Sequence, residues 1–310
     1  MKYVIACIAL FFTLPFFAQK MVSETLTIKN GKIILPGILS YPDSGKKLPL
    51  VIFVHGSGNI DRDGNQAGIN VKANYIKSLA DTLNRKYIAF FRYDKRTAVP
   101  ENIKLLIKDM IYDYLVEDVK KVIAHFKNDI RFDKIILMGH SQGSLTAMLA
   151  LNDAIDKYIS LAGLGESMEK TIIRQISAQS KELSETARQH FEELRKTDTI
   201  REVHPFLMAL FAAQNHKFIQ SYNAYDPVEM MGKVNIPTLI INGDADSQVR
   251  IKDAKLLHKA KPDAKLIIIP KMNHLLKEVN SIEENQRSYY DENYPLSSVL
   301  VKEVTDFIKQ

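Results

Sequence analysis

Short unbroken apolar runs alternate along this chain with stretches in which apolar positions recur every three or four residues. A strand with one wet face alternates apolar and polar residues. An unbroken run marks a strand covered on both faces, as in parallel sheets. The runs predict strands at Glu24–Lys29, Ile33–Tyr41, Leu50–His55, Tyr87–Tyr93, Lys134–Gly139, Lys157–Leu161, Thr238–Asn242 and Lys265–Ile269. Helical periodicity predicts helices at Val71–Asn84, Ile103–Lys127, Ser144–Asn152, Lys252–Ala260 and Val299–Lys309. Strand and helix in alternation imply βαβ units. The expected fold class is α/β: an eight-stranded, mostly parallel sheet with helices on both faces.

One interval breaks the rhythm. Between Ala162 and Pro237 lie about 75 residues without a clear strand. A crossover needs only about 25 to 30. The surplus is helical in pattern, with apolar residues such as Phe206, Leu207, Leu210 and Phe211 at helix spacing. Residues 165–225 are therefore expected to form an inserted helical cap above the sheet, leaving 19–164 and 226–310 as the α/β core. A cap in that place covers the carboxyl ends of the strands, where such sheets hold ligands.

The first eighteen residues stand apart. Met1-Lys2 is a positive start, Val4 to Leu14 is almost wholly apolar, and Ala18 offers a small residue before Gln19. Residues 1–18 read as a secretory signal peptide cut near Ala18, which implies a secreted or periplasmic protein. An uncleaved anchor and a lipobox at Val4-Ile5-Ala6-Cys7 are the alternatives. The run is too short for a confident transmembrane span. Cys7 is the only cysteine of the 310 residues. Once the signal is removed, disulfides and thiolate chemistry are excluded. No metal-binding spacing involves the eight histidines, and neither metal nor cofactor is expected. The net charge of +6 is spread over interleaved lysines and glutamates, with no basic stripe that would suit a nucleic acid.

The chemistry concentrates at the ends of the predicted strands. Gly139-His140-Ser141-Gln142-Gly143 lies between an apolar run and a helical one. Strand, G-x-S-x-G and helix in that order form a nucleophile elbow, which lifts the Ser141 hydroxyl off the end of a strand. A serine needs a base, and the base needs an orienting carboxylate. Gly243-Asp244-Ala245-Asp246 follows the seventh predicted strand; its spacing favours Asp246 as the acid, with Asp244 the competitor. His274 follows the eighth strand and is the expected base; His140 is expected to pack beneath the elbow. An oxyanion hole needs two N–H groups. Gln142, next to the nucleophile, is one expected donor. Ser57 of His55-Gly56-Ser57-Gly58 is the other, with Gly58 as alternate.

With these motifs in order, the chain resembles the α/β-hydrolase superfamily over nearly all of its length outside the cap. His55-Gly56-Ser57-Gly58 with Asp61-Arg62-Asp63-Gly64 is similar to a branch of bacterial carboxylesterases grouped with serine aminopeptidase-like hydrolases. Phe91-Arg92-Tyr93-Asp94-Lys95-Arg96 and Ile269-Pro270-Lys271-Met272-Asn273-His274 resemble the same branch. That branch usually carries glycine where Thr97 stands, so the loop there is expected to differ. Arg62 is read as part of an ion-pair network bracing the oxyanion loop with Asp94 or Arg96, rather than as a substrate ligand. Tyr289, Tyr290 and Tyr294 either line a pocket or anchor a loop. The resemblance implies a serine ester hydrolase acting on small-molecule esters or short acyl substrates without a cofactor. A serine aminopeptidase or acylaminoacyl peptidase is the first alternative, with Glu166, Glu169, Glu192 and Glu193 as possible amine ligands. A non-catalytic binding protein on the same fold is the second. Neither a nucleic-acid partner nor a stable membrane span after signal cleavage is expected, and the oligomeric state is left open.

Overall fold

The computed structural model describes residues 20–66, 71–106 and 110–310. The expected signal peptide lies outside them. The eight expected strands all form: β1 (Met21–Asn30), β2 (Ile33–Pro42), β3 (Leu48–Val54), β4 (Ala89–Tyr93), β5 (Phe132–His140), β6 (Lys157–Leu161), β7 (Thr238–Gly243) and β8 (Lys265–Ile269). They make one sheet in the order β1-β2-β4-β3-β5-β6-β7-β8. β1 and β2 pair antiparallel, as do β2 and β4, and every other pairing is parallel. The chain reverses direction outward from β3: β4 lies on one side and β5 on the other. Parallel strands on either side of such a point leave a crevice at their carboxyl ends.

Both faces of the sheet are covered, which is why its central strands read as unbroken apolar runs. Along β3, Leu50, Ile52 and Val54 enter one core, while Val51 and Phe53 enter the other. Helices α1 (Tyr75–Asn84), α2 (Pro100–Leu106), α3 (Asp113–Phe126) and α4 (Gln142–Ala150) follow the early strands. The 165–225 interval folds as α5 (Met168–Ser177), α6 (Lys181–Thr197), α7 (Met208–Phe211) and α8 (His216–Asn223). Next come α9 (Pro227–Gly232), α10 (Ile251–Ala260), α11 (Ile282–Arg287) and α12 (Ser298–Lys309). α1 and α12 cover one face of the sheet; α3, α4 and α10 cover the other.

Two expected helices differ by more than two residues at an end. The start of α1 moves from Val71 to Tyr75, because Val71 bridges to Gln66 and Asn74 takes φ 45° at the N-cap. The single helix expected over Ile103–Lys127 is two, α2 and α3, with residues 107–109 outside the described ones. Among the described residues, no helix is long and apolar enough to cross a membrane.

Helices α5 to α8 and their connections share a core with the sheet. Phe191, Leu207, Phe211 and Tyr222 belong to the same apolar cluster as Leu50 and Leu137. Tyr222 of α8 stacks flat on Tyr112 before α3, with ring centroids 4.2 Å apart. The Tyr112 N–H donates to Ser221 Oγ at 2.8 Å.

Candidate active site

β5 ends at His140 and α4 begins at Gln142, so Ser141 alone makes the turn. It does so at φ 54°, ψ −124°. A residue with a Cβ pays on the order of 1–3 kcal/mol for such a conformation, and the surroundings must hold it there. They do so by close backbone approach. A Cβ on Gly139 would lie 2.3 Å from the Gly143 carbonyl oxygen, and one on Gly143 would lie 2.2 Å from that of Val54. The Ser141 N–H donates to the Leu161 carbonyl at 2.9 Å, pinning the turn to β6. The Gln142 N–H opens a helix, where no carbonyl of the same helix can accept from it. The helix dipole also leaves partial positive charge there.

The loops that carry His274 and Asp246 meet beside this turn. His274 Nδ1 lies 2.8 Å from Asp246 Oδ2, and both side chains are buried. Asp246 Oδ1 accepts N–H bonds from Gln248 at 2.8 Å and Val249 at 2.9 Å. With both carboxylate oxygens engaged, Asp246 cannot rotate away, and Nδ1 must carry the proton. Asp244 is exposed and instead accepts from the Lys271 N–H at 2.6 Å. His274 sits in a tight loop closed by the Asn273 N–H to the Lys277 carbonyl at 2.9 Å. Buried Lys277 donates to the carbonyls of Ser288 at 2.8 Å and Asp291 at 2.9 Å. Burial pulls the Lys277 pKa down to about 8.

His140 lies beneath the elbow and ties it to the base loop. Its Nε2 is 2.8 Å from the His274 carbonyl oxygen, and its Nδ1 is 3.2 Å from Tyr75 Oη. Burial, with His274 close by, lowers its pKa to about 3, so the ring is neutral. A carbonyl can only accept, which places the His140 proton on Nε2 and makes Tyr75 the donor to Nδ1.

The expected oxyanion loop packs directly on the serine: a Cβ on Gly56 would lie 3.2 Å from Ser141 Cβ. Gly56 and Ser57 line the same cavity as Ser141, whereas Gly58 faces the Gln66 side chain. Arg62 does not reach that cavity. Its backbone N–H and Nε donate to Asp94 Oδ1 at 2.8 and 2.9 Å, and its guanidinium also pairs with Asp94 Oδ2. Asp63 pairs with Arg92. Arg96 belongs to a separate buried pair with Asp118 at 2.6 Å. Thr97 sits in a short 3-10 turn at negative φ, so nothing there requires glycine, and its hydroxyl donates to the Gly58 carbonyl at 3.4 Å.

A cavity of about 290 Å³ opens over Ser141 and His274. Met168, Thr171, Ile172 and Gln175 of α5 and Tyr222 of α8 are among its lining residues. No lysine, arginine, aspartate or glutamate is among the described residues that line it. The apolar residues singled out from the helical pattern are elsewhere. Phe211 and Leu207 are buried outside the cavity lining, and Phe206 is 85% exposed. Helical periodicity marks which residues share a face but not what that face meets. Of the three tyrosines, Tyr289 lines the cavity and accepts from Gln248 Nε2 at 2.8 Å, Tyr290 is exposed, and Tyr294 anchors its loop through Glu284 at 2.9 Å. The four glutamates weighed as amine ligands are spent elsewhere. Glu166 binds Arg174 and Lys252, Glu169 pairs with Arg195, Glu192 pairs with Lys196, and Glu193 accepts the Arg201 N–H. Among the described residues, no cluster of histidine and carboxylate side chains could hold a metal ion.

Lys95 lies in the Phe91–Arg96 motif, which by itself points to no role for it. It is 7% exposed and lies against the loop that carries Gly56 and Ser57. Its Nζ donates to the Gly56 carbonyl at 2.7 Å and to Gln142 Oε1 at 2.9 Å. Burial draws its pKa down to about 7. Its partners are 39 and 47 residues away in the chain, so no local pattern could have marked it.

The sheet order, the elbow and the acid and histidine loops define an α/β-hydrolase. Residues 38–260 match the BD-FAE family, and the chain belongs to that family of α/β-hydrolase-fold esterases. It is 27% identical over 247 residues to esterase EstD of Thermotoga maritima; the match covers 78% of this chain and 58% of that protein's length. Est1E from Butyrivibrio proteoclasticus, also solved with ferulic acid bound, superposes with a TM-score of 0.58 at 18% identity, covering 92% of this chain and 99% of that one. An acylaminoacyl peptidase from Pyrococcus horikoshii superposes with a TM-score of 0.59 at 15% identity, covering 94% of this chain and 42% of that one.

Proposed function

We propose that this protein is a serine carboxylesterase acting on small esters through an acyl-enzyme. Ser141 Oγ attacks the ester carbonyl and His274 takes the hydroxyl proton. Asp246 holds the imidazole with its proton on Nδ1 and stabilises the imidazolium that forms. The N–H groups of Ser57 and Gln142 receive the oxyanion. His274 then protonates the leaving alcohol, and water, activated by the same imidazole, releases the acid. Residues 165–225 act as a cap that sets substrate range.

The observation that carries this reading is the cavity itself, where Ser141 and the Asp246-bound His274 face walls that hold no lysine, arginine, aspartate or glutamate among the described residues. A free amino terminus would need a desolvated carboxylate aimed at it, and the cap's candidate glutamates are engaged elsewhere. Neutral esters need none. The ferulic acid bound to Est1E makes aromatic acyl esters the natural first probes, and Tyr222 and Tyr289 on the cavity walls suit an aromatic ring. The structural neighbour with peptidase activity keeps a second reading in view. Measuring kcat/KM on matched feruloyl and butyryl esters, a free aminoacyl amide and an N-acylated aminoacyl amide separates them. The esters are expected to exceed both amides by at least about tenfold. Faster turnover of either amide would replace the esterase reading.

We also propose that the protein is exported, because residues 1–18 combine a charged start, an apolar run and a small residue before Gln19. Intact-mass analysis of protein from its native host should find Gln19 at the amino terminus. A mass that retains residues 1–18 would contradict this.

A further inference from the structure

A buried cation ordinarily has a carboxylate beside it, because an unpaired one is costly to desolvate. Among the described residues, Lys95 is buried without one. Adjacent Asp94 is taken up by Arg62, and nearby Asp118 is taken up by Arg96. The acceptors of Lys95 are instead the Gly56 carbonyl and the Gln142 side chain. Those are the two segments that carry the oxyanion donors in the mechanism above, and the inference rests on that reading.

We propose that Lys95 is a positioning residue that aims both oxyanion donors from behind the site. The carbonyl of Gly56 and the N–H of Ser57 belong to one peptide unit, and that unit is trans. In a planar trans peptide the two groups point in opposite directions. Holding the carbonyl on the lysine therefore turns the Ser57 N–H away from it, toward the side on which Gly56 packs against Ser141. A hydrogen bond to the carbonyl also polarises the peptide and strengthens its N–H as a donor. The other bond from Nζ holds the Gln142 side chain at 2.9 Å, and Gln142 is clamped from the far side by Thr146 Oγ1, which donates to its carbonyl at 3.2 Å. One Nζ thus sets the spacing between a loop after β3 and the first residue of α4. Either protonation state of the amine has hydrogens for both acceptors. Lys95 does not line the cavity and touches no substrate, so its effect should fall on the transition state and spare ground-state binding.

The test compares the full chain with Lys95→Met, which matches the shape without a donor, and Lys95→Gln, which keeps a neutral donor. Turnover of p-nitrophenyl butyrate, affinity for a trifluoromethyl ketone that adds to the serine as a tetrahedral oxyanion, and thermal midpoints are measured together. Losing one oxyanion donor costs about 10²–10³ in kcat. Lys95→Met is expected to lose about 30–300-fold in kcat, with KM changed less than about threefold and the ketone weakened in parallel. Lys95→Gln should fall between Lys95→Met and the unaltered protein. The methionine removes a costly buried amine but leaves the Gly56 carbonyl and Gln142 Oε1 without that donor, so its thermal midpoint should fall by less than about 5 °C. A folded Lys95→Met within threefold of normal kcat overturns the proposal. So does a loss shared by kcat, KM and thermal midpoint beyond those limits, or failure of both variants to fold, since each would assign the lysine to stability alone. Ser141→Ala separates the two levels of the argument. If that variant still turns over ester, the hydrolase mechanism fails. If it is inactive while Lys95→Met is unaffected, only the lysine assignment fails.

Discussion

Ser141→Ala is expected to lower ester kcat by a factor on the order of 10⁵ or more while leaving the fold intact. Alanine keeps the Cβ, so the strained turn at φ 54° is neither relieved nor worsened. The backbone contacts that enforce the turn involve Gly139, Gly143 and the Val54 carbonyl, none of which the substitution touches. The thermal midpoint should therefore stay within about 2 °C, since surface-like truncations away from packing contacts change stability by about 0.5 kcal/mol or less. What disappears is the nucleophile. A fluorophosphonate should phosphonylate the unaltered protein with loss of HF, adding the mass of its phosphonyl group, and should label no residue of the variant. Turnover above a few per cent of normal, or labelling of another serine, would show that the nucleophile is elsewhere.

The parts of this molecule legible beforehand were those whose chemistry is local. Val51-Ile52-Phe53-Val54 is apolar without alternation because successive side chains enter two cores, and that predicted a strand covered on both sides. The elbow was legible because backbones crowd at Gly139 and Gly143, which excludes larger residues. Boundaries were less legible. β4 was expected from Tyr87, but Tyr87 is half-exposed at φ 60° and the strand starts at Ala89. Tertiary docking was not legible at all. Nothing local distinguishes Phe211, buried against Phe191, from Met168, which lines the cavity. The role of Lys95 depends on a carbonyl and an amide brought to it by separate crossovers.

Replacing Asp246 should discriminate as sharply as replacing the serine. Asp246→Asn is expected to cut kcat by about 10⁴-fold, while Asp244→Asn stays within about twofold. The asymmetry follows from the hydrogen bonds each carboxylate makes. Asp246 Oδ1 accepts two backbone N–H groups, so an asparagine at 246 would keep its oxygen there and present its NH₂ to His274 Nδ1. The imidazole could meet that donor only by giving up the proton on Nδ1 and carrying it on Nε2. A ring protonated on Nε2 cannot accept the serine proton, and the base is lost even though every atom stays in place. At position 244 the carboxylate accepts a single backbone N–H, from Lys271, on the exposed side of the loop. An asparagine oxygen can accept that bond equally well, and no imidazole depends on it. Steady-state ester kinetics on the two variants, with matched circular dichroism, check the expectation. Comparable losses in both, or a larger one in Asp244→Asn, would remove Asp246 from its place beside the base.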